Sequence, residues 1–297
     1  MGMGSKRERN LMLAGIDLAA MGRDELVATF KEVLDNGMHG LCFSAYVEGQ
    51  EPGDELTEEQ IRRRLSIIAP HTEWVRSFSC TEGNEQIPVI AHELGMQTLV
   101  GAWLGTDEDK NEEELAALIQ MARAGYVDIA AVGNEVLYRE EMPEPALIEY
   151  IERFRQAVPQ VPVGYVDAYY QFENRPALSD ACDVILANLY PYWEACHHDY
   201  ALLYMKDQYR RAAKAGKGKR VIVTETGWPS QGEAFYAAEP SEENAMKYFI
   251  DCQRWSQEDD IEMFYFSSFD EAWKVGDEGD VGAYWGLWNS HEQPKYG

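Results

Sequence analysis

A single (β/α)8 TIM barrel with an extra N-terminal helix is the fold the sequence predicts, and three observations predict it. The chain has 297 residues, close to the roughly 250 plus insertions that such a barrel takes. Eight short runs rich in β-branched and aromatic residues alternate with helical patterns, as parallel βαβ units require. The runs begin 23 to 43 residues apart, near the roughly 30 residues of one βαβ repeat, and eight near-equal steps suggest closure.

Each element has its own justification. Residues 1–21 form an N-terminal extension, and 22–297 the barrel domain. Asp24 to Asn36 reads as the extra helix, with Gly37 as its stop. The first strand is read at Leu41–Tyr46. Thr57 and Gln60 then stand at capping-box spacing before IRRRLSIIA and open a helix. Strands follow at Trp74–Phe78, Gln97–Ala102, Asp128–Val132, Val161–Tyr165, Val184–Asn188 and Arg220–Thr224. Ser241, with Glu243 and Asn244 behind it, opens the helix that carries AMKYFIDCQRW. The last strand is read at Met263–Phe269. The long loop Trp228–Pro240 follows the seventh strand, at the end where strand-to-helix loops of a barrel build the site.

Composition excludes several function classes. Fifty-two acidic residues against 26 basic ones give a net charge of −26, which repels phosphate backbones and anionic lipid surfaces. Nucleic acid is therefore not a partner, and the excess reads as a solvated acidic shell. No run of about 18 apolar residues exists, so membrane insertion is not expected. Cys42, Cys80, Cys182, Cys196 and Cys252 are odd in number and lack a C-x-x-C pair, so they read as reduced, mostly buried thiols. His39, His71, His92 and His291 are scattered, and adjacent His197 and His198 do not face the same way on a regular element. No metal site and no cofactor are expected. There is no G-x-S-x-G elbow, phosphate loop or complete G-x-G-x-x-G fingerprint. A basic start leads into apolar residues interrupted by Asp17. The sequence as given reads as cytoplasmic, or periplasmic or secreted where a leader has been removed, and as a monomer.

The reactive residues fall at strand ends. The fourth strand closes in AAVGNE, placing Asn134 and Glu135 at the rim, and the seventh in VIVTETGWPS, placing Glu225 there. Strands four and seven of an eight-stranded barrel face one another across the lumen, so two inward carboxylates share a cleft. That pairing suits glycoside hydrolysis, in which a carboxylic acid protonates the departing oxygen while a carboxylate on the other face attacks or activates water.

The motifs GLCFSAY, VRSF, LVGAWLG, AVGNE, VPVGYVDAY, NLYPYW, VTETGWPS and FDEAWK span nearly the whole chain. In order and position they resemble glycoside hydrolase family 17. The resemblance implies a retaining barrel enzyme active on β-1,3-glucan, with the family's acid/base at Glu135, its nucleophile at Glu225, and its eighth-strand glutamate and lysine at Glu271 and Lys274. Asp270 stands where plant members commonly carry asparagine. FDEAWK followed by GAYWGLWN looks closer to bacterial and fungal members, which include transferases.

Supporting roles follow as expectations. Asn134 is placed to bond a sugar 2-hydroxyl. Lys274 and Arg76, pointing inward, would hold Glu225 ionised. Burial and the charge of Glu225 would raise the pKa of Glu135, keeping it protonated for the first step. Asp167, Asp270 and Asn188 are further rim candidates that loop hydrogen bonding explains equally well. Tyr46, Trp103, Tyr190, Tyr192, Trp193, Trp228, Phe269, Trp273 and Trp285 lie near the predicted catalytic end, where aromatic faces stack on sugar C–H faces. Three functions are consistent with this reading. They are an endo-acting hydrolase of laminarin-like β-1,3-glucan, a β-1,3-glucan transglycosylase using the same residues, and a non-catalytic glucan-binding module. The partner in each case is a β-glucan oligosaccharide or polysaccharide.

Overall fold

The computed structural model describes residues 18–296 of the chain. Eight parallel strands close into one barrel in sequence order: β1 (Met38–Cys42), β2 (Thr72–Ser77), β3 (Gln97–Ala102), β4 (Ile129–Asn134), β5 (Val163–Ala168), β6 (Ile185–Asn188), β7 (Val221–Thr226) and β8 (Met263–Tyr265). Closure is direct, since β1 pairs with β2 on one side and β8 on the other. The strands are buried almost throughout, as a sheet covered by side chains inside and helices outside demands.

The helices are α1 (Arg23–Asp35), α2 (Glu58–Ile68), α3 (Gln86–Glu93), α4 (Glu108–Ala124), α5 (Glu144–Ala157), α6 (Tyr169–Asn174), α7 (Pro176–Ala181), α8 (Ala201–Ala215), α9 (Glu242–Asp259) and α10 (Val275–Glu278). Capping is as the sequence indicates. Thr57 and Gln60 form a reciprocal capping box on α2, and Ser241 accepts from the Asn244 amide at the start of α9. The extra helix α1 packs on α9, with the rings of Phe30 and Phe249 4.9 Å apart, and its Phe30 also meets Tyr296 near the C-terminus. Of the expected extension, residues 1–17 lie outside the described residues, and Leu18–Ala20 form a 3-10 turn with Leu18 buried in the core.

β4, β5 and β7 run two or three residues past the expected ends, and two strands stop four residues short. β1 starts earlier and ends at Cys42 rather than Tyr46, and β8 ends at Tyr265 rather than Phe269. Phe43, Ala45, Tyr46, Phe266 and Phe269 are nonetheless buried. They pack under the loops that cover the top of the barrel, where Ser268 donates to the Cys42 carbonyl and Phe269 bridges to Trp288. Apolar pattern reports burial, and here burial outlasts the ladder. Four of the five cysteines are buried. Among the described residues no helix is long and apolar enough to cross a membrane.

Candidate active site

The ladder is irregular where the two glutamates emerge. The β4–β5 register shifts between Ala131 and Asn134, Gly133 sits at φ +86° and Glu135 at φ +54°. A glutamate in left-handed backbone costs of order 1–3 kcal/mol and persists only where its surroundings enforce it. Here the Glu135 amide donates to the Val166 carbonyl at 2.8 Å. The β6–β7 register shifts between Ala187 and Asn188, which brings Asn188 opposite Glu225. Bulges of this kind re-aim side chains at barrel rims. Both glutamates line one cavity of about 370 Å³.

Their surroundings are unlike. Glu225 receives Arg76 Nη1 at 2.7 Å and the Tyr190 hydroxyl at 2.9 Å. The second Arg76 nitrogen, Nη2, donates to Asn134 Oδ1 at 2.8 Å, and the guanidinium stacks 4.2 Å from the centre of the Phe78 ring. Arg76 is 1% exposed, so removing either partner of this pair would strand a buried charge. Glu135 accepts an amide hydrogen bond from Asn188 Nδ2 at 2.8 Å. The Thr224 hydroxyl donates to Asn188 Oδ1 at 2.8 Å, which fixes the amide so that its NH2 faces Glu135. Burial, and then the charge of Glu225, push the Glu135 carboxyl up to about 7, against the pull of Asn188.

Lys274 pairs with Glu271 at 2.7 Å, and the Trp273 indole donates to the same carboxylate at 3.1 Å. The ammonium lies 4.0 Å from the centre of the Phe266 ring. Of the two cations expected to hold Glu225 ionised, Arg76 makes the contact, while Lys274 is engaged with Glu271. Asp270 accepts from Lys295 and the Gly286 amide, and so ties down the C-terminal segment. Asp167 accepts from the Tyr165 hydroxyl and from the Ala168 and Tyr138 amides, and burial raises it to about 6.

The aromatic expectations divide. Tyr190, Trp193 and Trp285 line the cavity. Tyr192, Trp228 and Phe269 do not reach it as substrate-binding residues, because each is at most 1% exposed. They back the wall instead: Tyr192 packs edge-on against Trp228 and Trp285, and Phe269 lies under the Arg64 guanidinium. Tyr46 is buried against Asn84 and Trp273, and Trp273 is half-buried.

Sequence reasoning missed Tyr138, Tyr170, Phe266, Glu194 and Glu278 in the cavity wall. Glu194 is bound by Tyr204 and Gln208. Glu278 is different: its Oε2 and the Trp285 indole nitrogen are both buried in the wall, and the indole favours the ionised form of the carboxyl. Burial raises Glu278 to about 7, with Lys274 opposing. Among the described residues no group of three His, Cys, Asp or Glu side chains is set to hold a metal.

A closed parallel barrel with two carboxyl groups in unlike surroundings on one cavity defines the class, a glycoside hydrolase. The chain belongs to the BtgE/BtgC glycoside hydrolase domain family, whose model matches residues 40–286, in keeping with the family 17 resemblance. It is 26% identical to a glucan 1,3-beta-glucosidase of Schizosaccharomyces pombe, over 96% of this chain and 94% of that one. A family 17 beta-1,3-glucanosyltransferase from Rhizomucor miehei superposes with a TM-score of 0.78 and 28% identity, covering 88% of this chain and 96% of that one. An active-site mutant of that enzyme has been solved with laminaritriose. An endo-laminarinase from Formosa shares the fold at a TM-score of 0.73 and 18% identity, over 88% and 85%.

Proposed function

We propose that this chain is a retaining enzyme of β-1,3-glucan, with Glu135 as acid/base and Glu225 as nucleophile. One observation carries the assignment: two carboxyls on one cavity have unlike surroundings. Glu135 keeps its proton up to about pH 7, whereas Glu225 is fixed by Arg76 and Tyr190. In the first step Glu135 gives its proton to the glycosidic oxygen as that bond breaks, and Glu225 bonds to the anomeric carbon. Esterification removes the Glu225 charge that helped to raise Glu135. Glu135 then accepts a proton from the incoming hydroxyl, whose oxygen displaces Glu225.

The neighbours support this order. Asn134 gives its oxygen to Arg76, which leaves its NH2 to donate to a sugar 2-hydroxyl. Glu278 and the Trp285 indole lie together in the wall, an acceptor and a donor of the kind that a sugar hydroxyl engages. Glu271 and Lys274 stand together behind the Phe266 ring as a neutralised pair. Water or a second sugar completes the reaction by the same chemistry. Transfer is the second reading, favoured by the likeness to the Rhizomucor glucanosyltransferase.

Proton NMR during digestion of laminari-oligosaccharides tests the proposal. The first products should be β-anomers, and products longer than the substrate signify transfer. Glu225→Ala should abolish turnover, with azide restoring a glycosyl azide of inverted configuration from an activated donor. Unchanged turnover in that variant overturns the nucleophile assignment.

A further inference from the structure

Glu135 stands in left-handed backbone at φ +54°, a state that lasts only where the neighbours enforce it. The opening amides of a turn have no partner within the turn and must find acceptors elsewhere. After β4 those acceptors come from three consecutive residues of β5. The Glu135 amide donates to the Val166 carbonyl at 2.8 Å, the Leu137 amide to the Tyr165 hydroxyl at 2.9 Å, and the Tyr138 amide to Asp167 Oδ2 at 3.3 Å. The Tyr165 hydroxyl in turn donates to Asp167 Oδ2, and the Arg139 amide closes the turn on the Glu135 carbonyl at 2.9 Å.

A buried aspartate that accepts loop amides is ordinarily a structural anchor and no more. Asp167 differs in two respects: the turn it anchors carries the acid itself, and its charge bears on that acid. Glu135 is faced by Glu225 on β7, Asn188 on β6, Asp167 on β5 and Arg139 on its own turn. Besides burial, the two carboxylates raise it, while the amide and the guanidinium lower it. The phenols of Tyr165 and Tyr170 complete its titratable surroundings. Asp167 is fully buried. Burial raises it to about 6 against its hydrogen bonds from Tyr165, Ala168 and Tyr138, so it is ionised where Glu135, at about 7, gives up its proton.

The two carboxylates beside Glu135 part company during the proposed reaction. Attack on the anomeric carbon turns Glu225 into a neutral ester. Asp167 is not among the residues that line the cavity, and it keeps its charge. Burial and that charge still act on Glu135 when it must take a proton from the incoming hydroxyl, and a carboxyl held above its ordinary value is the stronger base.

The geometry points to Asp167, bridged by Tyr165, as the positioning residue of the acid/base: it holds the turn that aims Glu135 and supplies the negative charge that outlasts the Glu225 ester. The inference rests on the roles proposed above for the two glutamates.

Two donors separate this role from that of a simple anchor. Laminaripentaose needs a proton on its leaving sugar, whereas β-laminaribiosyl fluoride departs without one, and kcat/KM follows both as far as the ester. In Asp167→Asn the loss of kcat/KM on the pentaose should exceed the loss on the fluoride about tenfold. The alkaline limb of its pentaose profile should also move to lower pH, because a like charge beside Glu135 has gone. Tyr165→Phe keeps the ring and removes only the bridging hydroxyl, and it should show the same bias between donors. Absence of either the bias or the pH shift in Asp167→Asn overturns the proposal. Should that variant fail to fold, equal losses on both donors in Tyr165→Phe, or none on either, overturn it instead. A wild type that turns over neither donor refutes the glucan reading, and the role of Asp167 falls with it.

Discussion

Glu135 combines a left-handed backbone with burial and a nearby negative charge; the backbone works against its stability, and burial and the charge against its ionised form, which the Asn188 amide favours. A carboxyl raised from 4.5 to about 7 corresponds to at most about 3 kcal/mol by linkage. The sign follows from the direction of the shift. The folded state holds the proton more tightly than the unfolded state, so this stability is complete below the unfolded pKa. It is lost as pH rises through about 7. Glu135→Gln should therefore unfold at a higher temperature than the wild type at pH 8, with the gap closing toward pH 4.5. In the wild type, kcat/KM should fall above about pH 7 as the acid ionises. A gap in melting temperature that is the same at pH 5 and pH 8 would contradict the raised carboxyl. Glu135, Glu225, Arg76 and Lys274 were legible because each sits in a short motif at a strand end or just after one. Glu278 was not, because α10 is a single turn in a loop where no periodic pattern builds up. Tyr192, Trp228 and Phe269 were misplaced for another reason: aromatic content near a rim does not say which side of the wall a ring occupies.

Strand ends are where this barrel departs from regularity, and those departures position the chemistry. The β7–β8 register shifts between Val223 and Thr226, one residue to either side of Thr224 and Glu225. Directly beyond, Gly227 lies so close to β8 that a Cβ would stand 2.1 Å from the Phe266 carbonyl oxygen. That obstacle is backbone, so no side-chain rotation relieves it. Gly227→Ala should force β7 and β8 apart at the level of Glu225, costing about 1–3 kcal/mol or more, and should lower kcat as well as melting temperature. Gly22→Ala is a fair control, since nothing lies within 4 Å of a Cβ there and an N-cap glycine is exchanged at a cost of at most about 1 kcal/mol. Equal melting temperatures for the two variants would show that β7 and β8 are not tightly juxtaposed at this point. The sequence identified all eight strands as elements, because β-branched runs at steady spacing are a strong signal. The ends of β1 and β8 were less legible. Cys42–Tyr46 and Phe266–Phe269 are buried by covering loops as well as by the ladder, and composition does not distinguish those two kinds of burial.

At the scale of the whole molecule the closed barrel was legible because eight βα units of similar length leave few other arrangements with every strand buried. The net charge of −26 is a property of the same scale, and it acts on the ligand rather than on the fold. A neutral glucan feels no net force from it. An anionic glucan meets a repulsive field from that excess of acidic residues, which low-dielectric walls focus at the cavity. Screening shortens that field from about 10 Å at 0.1 M salt to about 3 Å at 1 M. Carboxymethylated β-1,3-glucan should accordingly be turned over with a kcat/KM about tenfold below that of the neutral polymer at low salt, and should approach it as sodium chloride is added. Laminarin measured in parallel should change little, which separates screening of the ligand from any effect of salt on the folded chain. The same salt response for both polymers would place the effect in the protein. A difference between them that salt leaves unchanged would point to steric exclusion by the substituent, and would remove the acidic surface from the account of substrate choice.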